Sequence, residues 1–160
     1  MSAIKIIVLK IFFSMLLLLT LFSCSKKSGE SKSASGNTEE ITFIRLSNIG
    51  GEKGNYRTIK ITKDSIHLET GINAGEKHRE WSTSITPKMW TKLISSFKVR
   101  DLSYIKSSPS IQGIDGIDES FQIKTTKKSH VFVNAYNDIH YRQFEDFKNQ
   151  LNLILPKEYQ

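Results

Sequence analysis

Cysteine is almost missing from this chain: Cys24 is the only one in 160 residues. No intramolecular disulfide can form, so any folded part stands on its packed core alone. Proline is also scarce, with Pro87, Pro109 and Pro156 the only three. After residue 40 there are no long single-sign charge runs, low-complexity tracts or short-period repeats. Residues 41–160 hold 18 Lys+Arg and 13 Asp+Glu, a net of about +5, interspersed apart from Lys127-Lys128. A nucleic-acid binder carries a basic stripe with aromatic platforms, and that pattern is absent, which argues against nucleic acid as a partner.

Catalytic signatures are missing as well. The four histidines, His67, His78, His130 and His140, show no H-x-H or H-x-x-x-H spacing, and there is no HExxH. Gly50-Gly51-x-x-Gly54 lacks the GK[ST] of a phosphate loop and leads into a strand rather than a helix. There is no G-x-S-x-G elbow. Glu145 and Asp146 are neighbours, but adjacent helix residues point apart. No cofactor and no metal is expected from these patterns.

The N-terminus is where the sequence is most specific. Lys5 and Lys10 are the only charges before residue 26, and Ile11 to Phe22 is apolar except for Ser14 and Thr20. A membrane-spanning helix needs about 20 apolar residues, so this reads as the n- and h-regions of a signal peptide. Leu21-Phe22-Ser23-Cys24 follows. It resembles the lipobox of bacterial lipoprotein signal peptides, with Phe22 departing from the usual small or β-branched residue. The resemblance implies lipid on the Cys24 thiol and cleavage before it. A lone cysteine in an exported protein is then not a free thiol. Multiple acyl chains would anchor the protein stably, since each buried CH₂ contributes about 0.8 kcal/mol.

Residues 24–40 read as the lipidated cysteine and a Ser/Gly/Lys-rich tether, with no large apolar side chain after Cys24. Such a segment spans on the order of 20 Å in a flexible-coil estimate. By the lipoprotein resemblance, Ser25 in place of an aspartate favours the outer membrane. Lys26-Lys27 in place of an acidic cluster favours the periplasmic leaflet. The domain plan is therefore a signal peptide at 1–23, the anchor and tether at 24–40, and one folded domain at 41–160, a size that buries about two-thirds of its unfolded surface.

Within the domain, period-2 patterns predict strands at Ile41–Leu46, Tyr56–Thr62, Ser65–Thr70 and His78–Ile85. A Gly-rich break is expected at 48–55. Thr86-Pro87 is a helix start, and Met89, Trp90, Leu93, Ile94 and Phe97 share one face of a helix ending near Lys98. Leu102–Ile105 is expected as a short strand or extended piece, and Ser107–Gly116 as a loop. A second hairpin pairs Ser120–Thr125 with His130–Asn134. Asn137 or Asp138 should cap a last helix, to about residue 155, burying Tyr141, Phe144, Phe147, Leu151 and Ile154 before Pro156. The fold class is α+β: an antiparallel sheet of two hairpins plus extra strands, with two helices (about 86–98 and 138–155) on one face.

The Gly-rich turn, the Tyr56-x-Ile-x-Ile hairpin, the Thr-Pro helix and Asp115-Gly116-Ile-Asp118 before a strand pair and terminal helix resemble small lipoprotein domains of Bacteroidetes-type bacteria. That resemblance implies a fold and no activity. Asp115, Asp118 and Glu119 form the densest carboxylate cluster, without the spacing of an EF-hand. The expected role is a membrane-anchored, non-catalytic interaction module whose partner is another envelope protein. Its contact surface would be the open sheet face and the loops at 48–55 and 107–119. The alternatives are a hydrolase-like envelope enzyme with a site built from His130, Asp115 and Asp118, and an immunity or inhibitor lipoprotein.

Overall fold

A computed structural model describes residues 38–72 and 77–160. The segment expected to be a signal peptide, Cys24 and the expected tether up to residue 37 lie outside the described residues. Six strands form one sheet: β1 (Ile41–Gly50), β2 (Asn55–Ile61), β3 (Ser65–Ile72), β4 (His78–Ser84), β5 (Ile117–Thr125) and β6 (Ser129–Val133). Their order is β4-β3-β2-β1-β5-β6 and every pair is antiparallel. The described residues also form two α-helices, α1 (Pro87–Ile94) and α2 (Arg142–Asn152). This is the expected α+β class.

The register explains which face is covered. Phe132, Phe121, Leu46, Ile59, Leu68 and Trp81 lie side by side in one row across the sheet. Beside it run His130, Ile123, Ile44, Ile61, Ile66 and Thr83. Side chains two apart along a strand share a face, so both rows point the same way. Trp90 and Leu93 of α1 and Phe144, Phe147 and Leu151 of α2 join these rows in one core. The intervening rows, such as Gln122, Arg45, Lys60, His67 and Ser82, make the open face polar. One apolar and one polar face is the ordinary solution for an antiparallel sheet.

Local chemistry sets the element ends, and several differ from expectation. A register shift between Ile41 and Phe43 lets Ile41 and Ile44 both turn inward, where simple alternation separates them. β1 runs on to Gly50, so the expected break at 48–55 shrinks to a turn at 51–54. The Thr86 hydroxyl accepts from the Met89 amide at 3.2 Å, the expected N-cap. α1 stops at Ile94 rather than near Lys98, because the Lys98 amide donates to Gln143 Oε1 of α2 at 2.6 Å. That bend brings Phe97 onto Phe147, with ring centres 5.1 Å apart. Leu102 lies in a 3-10 turn over Val99–Ser103, not in a strand. Asp138 caps the turn ahead of α2 rather than α2 itself, accepting from the His140 amide at 2.8 Å and the Lys106 amide at 2.9 Å. α2 accordingly begins four residues later, at Arg142. No described helix is long and apolar enough to cross a membrane.

Candidate functional site

The two loops expected to make contacts are joined in space. β1 and β5 are neighbours, and Gly50 stands opposite Ile117. The Gly51 amide donates to Gly116 O at 3.0 Å, and Gln112 Nε2 donates to Ile49 O at 3.1 Å. The β1–β2 turn and the 107–116 loop thus form one tip. Glycine is required at the joint. Gly50 has φ +142° and Gly51 φ +77°, a region L side chains rarely adopt. Four isoleucines lie in these segments. Ile49 and Ile111 are half-buried, while Ile114 is 81% and Ile117 51% exposed.

Asp118 holds the tip from beneath. Its side chain is buried and accepts from the Ser110 hydroxyl at 2.6 Å, the Ile111 amide at 2.9 Å and Asn134 Nδ2 at 2.7 Å. Asn134 is itself left-handed (φ +47°), and its Oδ1 accepts from the Glu119 amide at 3.0 Å. Burial pushes the Asp118 carboxyl up, but the three donors outweigh it and hold it below the ordinary carboxylate range. Asp118 is therefore an ionised staple. A folded pKa below the unfolded value gives stability that is full above about pH 4 and lost as pH falls through the folded value. Asp118→Ala should cost about 2–4 kcal/mol, since three buried donors lose their acceptor. Acid titration of unfolding should show a flatter pH dependence below about pH 4 in Asp118→Asn than in the parent. Identical acid profiles would remove the staple.

The other two acid–base candidates lie elsewhere. Asp115 is exposed and left-handed (φ +59°) at the end of the short 3-10 turn Gln112–Ile114. His130 pairs with Ile123 on the covered side, and five residues of β5 separate that position from Asp118. At about 3.3 Å per residue that is roughly 16 Å. Asp118 also faces the opposite side of the sheet by alternation. His130 stacks on Phe132, with ring centres 6.0 Å apart, and burial first, then Lys128, hold its pKa down. Its Nε2 is buried without a hydrogen-bond partner. Asp115, Asp118 and His130 do not form one site.

Sequence patterns missed two polar clusters, because strand register and the docking of α2 bring their members together. On the open face, Glu69 Oε1 accepts from Lys60 Nζ at 2.7 Å and contacts His67 Nε2 at 2.8 Å, while His67 Nδ1 lies 2.6 Å from Ser82 Oγ. The Lys60 hydrogen bond leads in holding the Glu69 carboxyl below its usual range. Further along, His78 bridges Tyr56 at 2.7 Å and Glu80 at 2.6 Å. The second cluster ties α2 to β5. Glu119 accepts from the Tyr141 hydroxyl at 2.6 Å and from Lys148 Nζ at 2.8 Å. Burial and then Glu119 push the Tyr141 phenol up, so its proton is held rather than poised to leave. Burial pulls Lys148 down, but Glu119 and Tyr141 more than offset it. This is a clamp between elements. Among the described residues, no group of three or more His, Cys, Asp or Glu could hold a metal ion. No protein-family model matches the chain, and no curated protein matches it.

Proposed function

We propose that this protein is a lipoprotein of the bacterial outer membrane, anchored through Cys24 at the periplasmic face, and a non-catalytic module that binds another envelope protein through its isoleucine tip. The observation that carries the binding role is the joined, stapled tip with Ile114 and Ile117 exposed. Exposed apolar groups on a rigid support lose little conformational entropy on binding. Topology adds a second support. The described chain enters at Thr38 and β1 runs from there toward the tip. Ten strand residues span about 30 Å. The tip therefore lies at the end of β1 away from Thr38. The anchor itself rests on the lipobox residues Leu21 to Cys24.

The test is in-cell cross-linking and affinity recovery from the native host, comparing the parent with Ile114→Ser/Ile117→Ser and with Cys24→Ala. The tip variant should weaken partner binding by about 2–4 kcal/mol while moving fold stability by less than about 0.5 kcal/mol, because both side chains are exposed. Cys24→Ala should leave the membrane fraction. Recovery of the same proteins by parent and tip variant would reject the tip as the binding surface.

A further inference from the structure

The two edges of the sheet differ. At the β6 edge the Thr125 amide donates to Lys128 O and the Asn134 amide to Glu119 O, so Ser129, Val131 and Val133 turn their backbone groups away from β5. That edge is partly covered. The Ser108 amide donates to Val133 O at 2.9 Å, and the Val133 amide to Ser107 Oγ at 3.0 Å. At the β4 edge the Ile72 amide donates to Lys77 O at 3.2 Å and the Ile85 amide to Asp64 O at 2.9 Å. Arg79, Trp81 and Thr83 therefore share the ladder with β3, and His78, Glu80, Ser82 and Ser84 turn their N–H and C=O groups outward. All four are exposed. Among the described residues only the Thr83 hydroxyl reaches one of these groups, 3.4 Å from Ser84 O. No proline, bulge or described loop blunts this edge, the devices that protect open edges from pairing.

An unpaired edge of this kind accepts another strand, and the sequence of β4 fits its own copy. Outward residues of one copy must pair with outward residues of the other, and charge and length select among the antiparallel registers. A two-fold centred on Arg79 or on Glu80 sets that residue against its like-charged copy, which is destabilising. One centred on Ser82 pairs only Glu80–Ser84. One centred on Trp81 uses the whole strand, His78–Ser84. His78 then faces Ser84 of the second copy, Glu80 faces Ser82 and Arg79 faces Thr83. No like charges are opposed, and each Glu80 carboxylate meets a hydroxyl donor. The two Trp81 side chains meet on the helix side, an aromatic cross-strand pair. Trp81 is already packed against the core with its ring centre 6.4 Å from that of Tyr159, so little side-chain freedom is lost on pairing.

We infer that β4 is a homodimer edge: two copies of this chain join through antiparallel β4 strands centred on Trp81, and two six-stranded sheets become one. The two-fold turns the second copy end over end. The two tips then point in opposite directions and both stay free, so the dimer stands independently of binding at the tip.

Disulfide trapping in the native host reads the register. Full-length protein carrying Arg79→Cys/Thr83→Cys should form a disulfide-linked dimer on oxidation, seen on non-reducing gels. Neither single variant should. Two copies of one position lie four residues apart along the strands, about 13 Å, as do the two positions within one chain, and a disulfide reaches no more than about 7 Å between Cα atoms. The parent, with Cys24 alone, sets the background. Ser82→Pro added to the double variant should abolish the dimer, because it removes an outward N–H and leaves the β3 ladder intact. Sedimentation of the full-length parent in mild detergent gives a second reading with no cysteine introduced. Its mass should double as concentration rises, and Ser82→Pro should stay monomeric at an unchanged urea midpoint. The inference is overturned by a double variant that keeps its far-UV spectrum and traps no dimer, by single variants that trap one as readily, by a dimer that survives Ser82→Pro, or by a parent that is monomeric at every concentration. Trapping of a different protein at positions 79 and 83 also overturns it, and makes β4 a dock for an extended segment of that protein.

Discussion

Phe144→Ala should destabilise the domain by about 3–5 kcal/mol, the range for removing a buried phenylalanine. Phe144 is fully buried. Its ring centre lies 4.4 Å from Phe121, 5.4 Å from Phe132 and 5.7 Å from Phe97. These neighbours come from β5, from β6 and from the segment after α1, so one truncation opens a cavity shared by sheet and helices. The neighbours are large and interlocked, which limits how far the site can collapse. Whole domains are stable by about 5–15 kcal/mol, so a large part of the total is at stake. Urea titration should show a lower midpoint with an unchanged slope, and the melting temperature should fall by roughly 10 °C or more. Leu153→Ala is the control, since Leu153 is 78% exposed and should move stability by less than about 0.5 kcal/mol. Equal effects from the two variants would mean that the aromatic cluster does not hold the helices on the sheet.

Much of this core was legible in the sequence because it follows simple periods. Ile59 and Ile61, and Ile66 and Leu68, alternate inward as expected and are fully buried. Phe144, Phe147 and Leu151 lie at helical spacing and are buried together. Two adjacent signals, Thr86 and Pro87, located the first helix start. The misplaced boundaries have tertiary causes. α1 ends at Ile94 in a tightened last turn, with Phe97 N donating to Ile94 O, and the Lys98 amide is captured by Gln143, 45 residues away in sequence. Leu102 sits among residues that could be extended, and a 3-10 turn wins because it carries Leu102 into the core. Ile41 breaks alternation through a bulge that no sequence period encodes.

The tip was half legible. The glycines and the Asp-Gly turn marked both loops as irregular, and the expected contact surface named both. Their union needs the pairing of β1 with β5, which is a long-range fact. Asp118 was singled out as a possible acid in chemistry. Its neighbour Asn134, sixteen residues away, turns it into a staple instead. The polar rows of the open face were invisible for the same reason: Lys60, Glu69, His67 and Ser82 come from three strands. Spacing along the chain says nothing about neighbours across strands.

Gly50→Ala should cost about 3–5 kcal/mol, and Gly51→Ala only about 1–2 kcal/mol. Both glycines have positive φ, so both substitutions strain the backbone. They differ in what the new methyl meets. At Gly50 it would lie 2.1 Å from Gly116 O and 3.1 Å from Ile117 Cα, all backbone atoms that cannot rotate away. At Gly51 the nearest atom is the Asn55 side-chain nitrogen at 3.5 Å, an ordinary contact. The Gly50 variant can accommodate its methyl only by parting β1 from the start of β5. That also breaks the bond from the Gly51 amide to Gly116 O. Amide exchange should then accelerate across 107–117 in Gly50→Ala, with little change in β2 and β3, whose pairing is untouched. Partner recovery should fall with it, although every isoleucine of the tip is still present. Equal losses in the two variants would mean that the close approach of the two glycine backbones contributes nothing beyond the φ strain. Faster exchange with undiminished recovery would separate the rigidity of the tip from its binding, and place recognition outside the joined loops.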